Sequence, residues 1–78
     1  MEDYPDYLQR LIDETNDLRE KIDNLSNFLR GPKSHEIGYV RTRLLQEQYT
    51  HMQKYYDVLV ERVDLEKTIH NARREGIK

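Results

Sequence analysis

Residues 4–29 read YPDYLQRLIDETNDLREKIDNLSNFL, and one set of positions in this stretch recurs alternately four and three residues apart: Tyr4, Leu8, Leu11, Thr15, Leu18, Ile22, Leu25 and Leu29. That spacing winds a single stripe along an α-helix, and it is sustained as a heptad seam for the whole segment. Pro5 suits the first helical turn, where its missing N–H costs nothing, and Asp3 and Asp6 put negative charge at the positive end of the helix dipole. Gly31 and Pro32 end the helix, because glycine can take the left-handed conformation and proline cannot continue the ladder. A first helix is therefore predicted over about residues 5–29 and a connection over about 30–34. Ser34 is the best N-cap for a second helix, with Glu36 in its first turn. That helix then runs over about 35–74, interrupted only by Gly38 near its start. At about 1.5 Å per residue the two helices are roughly 37 and 60 Å long. The predicted fold is all-α, one helical-hairpin domain over 1–78 with two long antiparallel helices.

Such a hairpin has little to bury. Of 78 residues, 36% are hydrophobic and 36% charged, and with no cysteine a disulfide cannot make up the deficit. The part of the second helix from about Asp64 onward carries Leu65, Ile69 and Ala72 with no intrachain partner in view. Another copy of the chain is the expected cover, giving a homo-oligomeric helical bundle, a tetramer of paired dimers. The polar start lacks a secretory signal, and no apolar run approaches membrane-spanning length, so a soluble intracellular protein with no membrane partner is expected. The net charge of −2 conceals eight acids against three bases in residues 1–29 and seven acids against ten bases in 30–78. Basic residues of the second helix are interleaved with Glu47, Asp57, Glu61 and Asp64, which disfavours a DNA or RNA polymer as partner.

Chemistry, if present, belongs to the second helix. One heptad position there reads Leu45, Met52 and Leu59, ordinary seam packing, but the position four residues before each, continued one heptad further, reads Arg41, Gln48, Tyr55 and Arg62. If the first helix covers that face, the Gln48 amide must find partners or cost a few kcal/mol. The stripe either fixes register and oligomeric state, as buried polar residues do in coiled coils, or holds a ligand. Six tyrosines with no tryptophan and one phenylalanine carry the same ambiguity: Tyr49, Tyr55 and Tyr56 can stack on bases or fill the boundary of a thin core. At the hairpin tip Arg30, Lys33, His35, Arg41 and Arg43 surround a helix N-terminus, where they could hold a phosphate or pair with acids. Glu47 with His51 and Glu66 with His70 supply two ligands each, too few for a metal site. There is no nucleophile–base set or phosphate-binding glycine loop, so neither catalysis nor a cofactor is expected.

The stretch Leu44-Leu45-Gln46-Glu47-Gln48-Tyr49-Thr50-His51-Met52-Gln53-Lys54-Tyr55-Tyr56-Asp57-Val58-Leu59-Val60-Glu61-Arg62-Val63 resembles the second helix of a family of small bacteriophage proteins related to a crAss-like phage product. The first helix fits through Tyr7-Leu8, Leu11, Leu18, Leu25 and Phe28-Leu29, so the resemblance covers roughly residues 4–65. Gln48, Met52, Tyr55 and Arg62 are its most specific part. Small helical phage proteins of this sort are similar to anti-CBASS sponges, oligomers that sequester cyclic-oligonucleotide immune signals without altering them. The resemblance implies a phage protein acting in the cytoplasm of the infected bacterial host. It implies a cyclic nucleotide, such as a cyclic dinucleotide, as ligand, with Arg41, Arg43 and Arg62 on phosphate and Gln48, Tyr49, Met52, Tyr55 and Tyr56 around the bases. Two antiparallel second helices crossing near Tyr55 would set Gln48 of one chain against Arg62 of the other. The competing expectation is a coiled-coil scaffold of a phage with no small-molecule ligand.

Overall fold

The structure is a computed structural model that describes residues 4–76. It contains three helices in chain order, α1 (Asp6–Arg30), α2 (Lys33–Glu36) and α3 (Tyr39–Gly76), and α1 lies antiparallel along α3. The result is a rod of 62 × 20 × 16 Å with a radius of gyration of 17.6 Å, against about 11–12 Å for a compact chain of this length. Two helices side by side enclose nothing beyond their shared seam. The seam must therefore supply the whole core.

On α1 the heptad positions Leu8, Leu11, Thr15, Leu18 and Ile22 are buried as the spacing predicts. Thr15 is accommodated because its hydroxyl donates to the Leu11 carbonyl at 2.7 Å, so no polar atom is left unpaired. Leu59 of α3 is 0% exposed in a cluster with Leu11, Leu18 and Ile22, and Tyr49, Met52, Tyr56 and Val63 pack against that cluster. The face that α3 turns inward differs from the sequence expectation. Leu45, Met52 and Leu59 do face α1, but the other half of their seam is Thr42, Tyr49, Tyr56 and Val63; Gln48 is exposed on the neighbouring face. Its amide keeps solvent and donates weakly to Met52 Sδ at 3.7 Å, so the burial penalty never arises.

The turn also differs in detail. Gly31 is not left-handed: φ −83°, ψ 169° is extended backbone, and its N–H donates to the Phe28 carbonyl at 3.1 Å. The left-handed residue is Gly38 (φ 98°), which separates α2 from α3 and delays the long helix to Tyr39. Ser34 sits inside α2 rather than capping α3. It is buried, with Oγ donating to the Gly31 carbonyl at 2.9 Å. The Thr42 hydroxyl lies 2.6 Å from the Ser34 carbonyl and 2.9 Å from that of Gly38, so its one proton ties the elbow to the first turn of α3.

At the far end the overhang is shorter than the helix lengths suggest. The Tyr4 ring meets His70 edge-on with centroids 5.5 Å apart, and Lys67 Nζ lies 5.7 Å from the Tyr4 centroid. Leu65 remains 57% exposed because it points away from α1, and not because α1 has ended. α3 continues through Gly76, two residues past the end expected near 74; residues 77–78 and Asp3 lie outside the described residues. No described helix is long and apolar enough to cross a membrane.

Replacing Leu59 by alanine is expected to lower unfolding stability by about 2–5 kcal/mol, since a core one residue deep cannot refill the cavity. Gly38→Ala meets no atom within 4 Å and is expected to lose only the left-handed backbone penalty, about 1–2 kcal/mol. Urea denaturation of the two variants checks both the sizes and their order.

A candidate ligand-binding groove

Of the eight residues singled out in the sequence, all but Arg43 divide between two faces of α3, an inner face turned toward α1 and an outer one beside it. Tyr49, Met52 and Tyr56 are half-buried on that inner face. The Tyr49 hydroxyl accepts from Gln53 Nε2 at 2.7 Å, and Tyr56 presents its ring to Arg19, whose guanidinium carbon lies 5.6 Å from the centroid. All three border the core, and Tyr49 also lines a separate cleft of about 320 Å³ with Ser26, Leu29, Arg30 and Gln46. Arg43 is exposed and lies 3.5 Å from Glu47 one turn on. Arg41, Gln48, Tyr55 and Arg62 share the outer face and are all exposed. Seven residues separate each from the next, about 10 Å along the axis, so Arg41 and Arg62 stand about 31 Å apart. One small ligand on one chain cannot touch both.

Around Tyr55 the outer face is joined by α1. The Tyr55 hydroxyl donates to the Glu14 carboxylate across the helix pair. That bond fixes the ring at the mouth of a cleft of about 370 Å³ lined by Arg10, Asp13, Glu14, Asp17, Leu18 and Lys21 with Tyr55. The hydrogen bond to Glu14 is the main reason the phenol is held above its ordinary value of 10.0; partial desolvation and the Glu14 charge add to it, and the positive charge of Arg62 opposes it. Arg10, Lys21, Arg41 and Arg62 form no ion pair among the described residues; the two pairs present are Arg19–Asp23 and Arg43–Glu47. The groove thus offers an aromatic face beside two cations, Arg10 and Lys21, and three carboxylates, Asp13, Glu14 and Asp17. Such a lining can meet a ring that carries both donors and an anionic group.

The α1 contribution was missed in the sequence because the polar and aromatic stripe of the second helix stood out more. The signal was there. Arg10, Glu14, Asp17 and Lys21 are spaced four, three and four, a polar stripe running beside the leucine seam. At the hairpin tip, Ser34, His35, Tyr39, Thr42 and Arg43 are among the residues that line a separate cleft of about 330 Å³, but Arg41 is not among them. The expected basic cluster is therefore split. No three metal-ligating side chains come together among the described residues.

The two long helices thus form a helical hairpin with open clefts along its flanks. A family model for Sequestin matches residues 5–65, all of α1 and α3 through Leu65, and the chain belongs to the Sequestin family. The name denotes sequestration, which is binding rather than turnover. No curated protein and no solved structure matches the chain.

Because the Tyr55 phenol is raised in the folded chain, the stability it contributes is present below about pH 10 and is lost as pH rises through the raised value. Ultraviolet titration of the folded protein is expected to show a tyrosine ionising above the ordinary phenol value of 10.0. That late step disappears in Tyr55→Phe and moves down in Glu14→Gln.

Proposed function

We propose that the chain sequesters a cyclic nucleotide signal, holding it without cleavage, and that it serves a bacteriophage in the cytoplasm of an infected bacterium against a defence pathway that uses such a signal. The observation that carries this reading is the Tyr55 cleft, lined by the cations Arg10 and Lys21 and with Arg62 two turns further along the same face of α3, in a family named for sequestration. Arginine presents forked donors to a phosphate, and the Tyr55 ring offers a face on which a base stacks for about 1–3 kcal/mol. Glu14 accepts from an exocyclic amino group, and Gln48 can read a base edge with one donor and one acceptor. A cyclic dinucleotide is the symmetric member of this ligand class. It fits a homo-oligomer of hairpins, which repeats each group around a two-fold axis.

In this proposal Tyr55 meets a base with Arg10, Glu14 and Lys21 around it, and Arg62 and Gln48 flank the cleft two turns away on either side of Tyr55 along α3. Tyr49, Met52 and Tyr56 position the groove from behind through their packing on the core. Arg41 and Arg43 lie too far along α3 to share a ligand with Arg62 on one chain. The scaffold alternative draws on a different observation, the exposed apolar side chains Leu44, Val58 and Leu65 on the outer face of α3.

The test mixes protein with a panel of cyclic dinucleotides and other cyclic nucleotides, removes free ligand, heat-denatures the complex and identifies what is released. Intact nucleotide is expected from the wild type. Arg62→Ala is expected to bind about ten- to a hundredfold more weakly, the equivalent of a lost hydrogen bond to a charged partner, with the melting temperature of the free protein unchanged. A cleaved product would make the protein an enzyme. No retention of any nucleotide would leave the scaffold reading.

A further inference from the structure

The outer face of α3 is itself a heptad seam. Leu44, Tyr55, Val58 and Leu65 are 49%, 46%, 52% and 57% exposed, and with Gln48 and Arg62 they continue the four–three alternation one residue out of step with the inner seam. This stripe, in which Leu44, Tyr55, Val58 and Leu65 alternate with Arg41, Gln48, His51 and Arg62, runs the length of a helix, so what covers it is another helix of like length. Between residues 41 and 72 the stripe is about 46 Å long, and α1, the only other long helix among the described residues, is already committed to the inner seam.

We infer that this face pairs with the same face of a second copy, antiparallel, about a two-fold axis at the midpoint between Tyr55 and Val58, and that this pairing closes the Tyr55 groove. Charge selects the arrangement. In a parallel pair Arg41 would meet Arg41 and Arg62 would meet Arg62, which opposes association. In the antiparallel pair about this axis, Tyr55 packs on Val58 of the second copy, Leu44 on Ile69 and Gln48 on Leu65. The flanking positions then set Lys54 against Glu61 of the second copy, twice by symmetry. Shifting the axis half a heptad toward the hairpin tip faces Lys54 with Lys54 and Glu47 with Glu61. Shifting it the other way faces Glu61 with Glu61. An axis on Tyr55 itself would bring Val58 opposite Met52, which already packs against the intrachain core.

The same geometry bears on the site. The inner seam lies about a quarter-turn from the outer one, so the two copies of α1 fall on one side of the α3 pair and complete an antiparallel four-helix bundle. Tyr55 and its cleft then face the bundle interior, close to the axis and opposite their symmetry mates. Arg62 of each chain lies level with His51 of the other. Each groove is open in one copy and roofed by the second; that part of the inference rests on the nucleotide-binding reading, whereas the pairing itself does not.

The test uses Lys54→Glu and Glu61→Lys, neither of which touches the groove. By sedimentation velocity without ligand, the wild type is expected to be a dimer or a multiple of one. Each variant alone replaces two attractions by two repulsions and is expected to dissociate on the order of tenfold more readily. An equimolar mixture restores both attractions and is expected to regain wild-type assembly as a heterodimer. The chain has no cysteine, so Leu44→Cys mixed with Ile69→Cys is expected to form an interchain disulfide on mild oxidation that neither variant forms alone. A monomeric wild type, variants that assemble unchanged, or a mixture that is not restored would each overturn the pairing. Because no nucleotide is present, failure to bind one leaves this result standing.

Discussion

Everything in this molecule depends on the packing of the α1 leucines against one of two offset heptad faces of α3. Leu11, Leu18 and Ile22 close on Leu59, with Tyr49, Met52, Tyr56 and Val63 around them. Once the inner seam is chosen, the face one residue out of step is left to solvent. That choice is why Tyr49 and Tyr56 pack against the core while Tyr55, between them in sequence, stands at the groove shared with Glu14. Leucine enters the inner seam at Leu45 and Leu59, whereas the outer face carries Arg41, Gln48 and Arg62 at its corresponding positions. Packed against the α1 leucines, Arg41 and Arg62 would be desolvated with no polar side chain opposite them, a cost that the outer apolar residues would not offset there. The inner face therefore wins on the charged residues excluded as much as on the apolar ones buried.

The groove arises from the same decision. Tyr55 and Glu14 lie on the flank where the two helices begin to part, so the phenol–carboxylate bond spans the helix pair without entering its core. Such a bond orients the ring and keeps one carboxylate lone pair occupied, leaving the aromatic face free. Arg19 and Tyr56 make the comparable contact on another side of the rod, where the ring is half-buried and the cation lies over it. One flank thus serves packing and the other presentation.

The sequence made α1 legible nearly residue by residue, because a single apolar stripe with a proline start and a glycine–proline stop admits one helix. It made α3 legible as a helix and left its orientation open, because two heptad faces compete and periodicity alone does not rank them. Gln48 shows the cost of choosing between them by spacing: it sits among Leu44, Leu45 and Met52 in sequence and yet is solvent-exposed. Gly31 and Gly38 likewise look interchangeable until the backbone is traced, and only the second takes a positive φ. The α1 residues Arg10, Glu14 and Lys21 became site candidates only when the antiparallel alignment brought them to Tyr55. Alignment of this kind is set by the elbow, and the elbow geometry depends on Ser34 and Thr42, whose bonding pattern the sequence does not specify.

That elbow also governs how the hairpin opens. The entropy of closing the connection is lost once, at the α2 turn that Thr42 fastens to Ser34 and Gly38, and each further layer of the seam then forms beside one already made. Protection of amides against exchange should accordingly decline along the rod from the buried middle toward the end where Tyr4 meets His70, the contact farthest from the closed loop. A hairpin held at one end by its turn unzips from the other, so the terminal contact is the first to be lost whenever the chain breathes, and the groove at Tyr55, which lies between that end and the elbow, opens next.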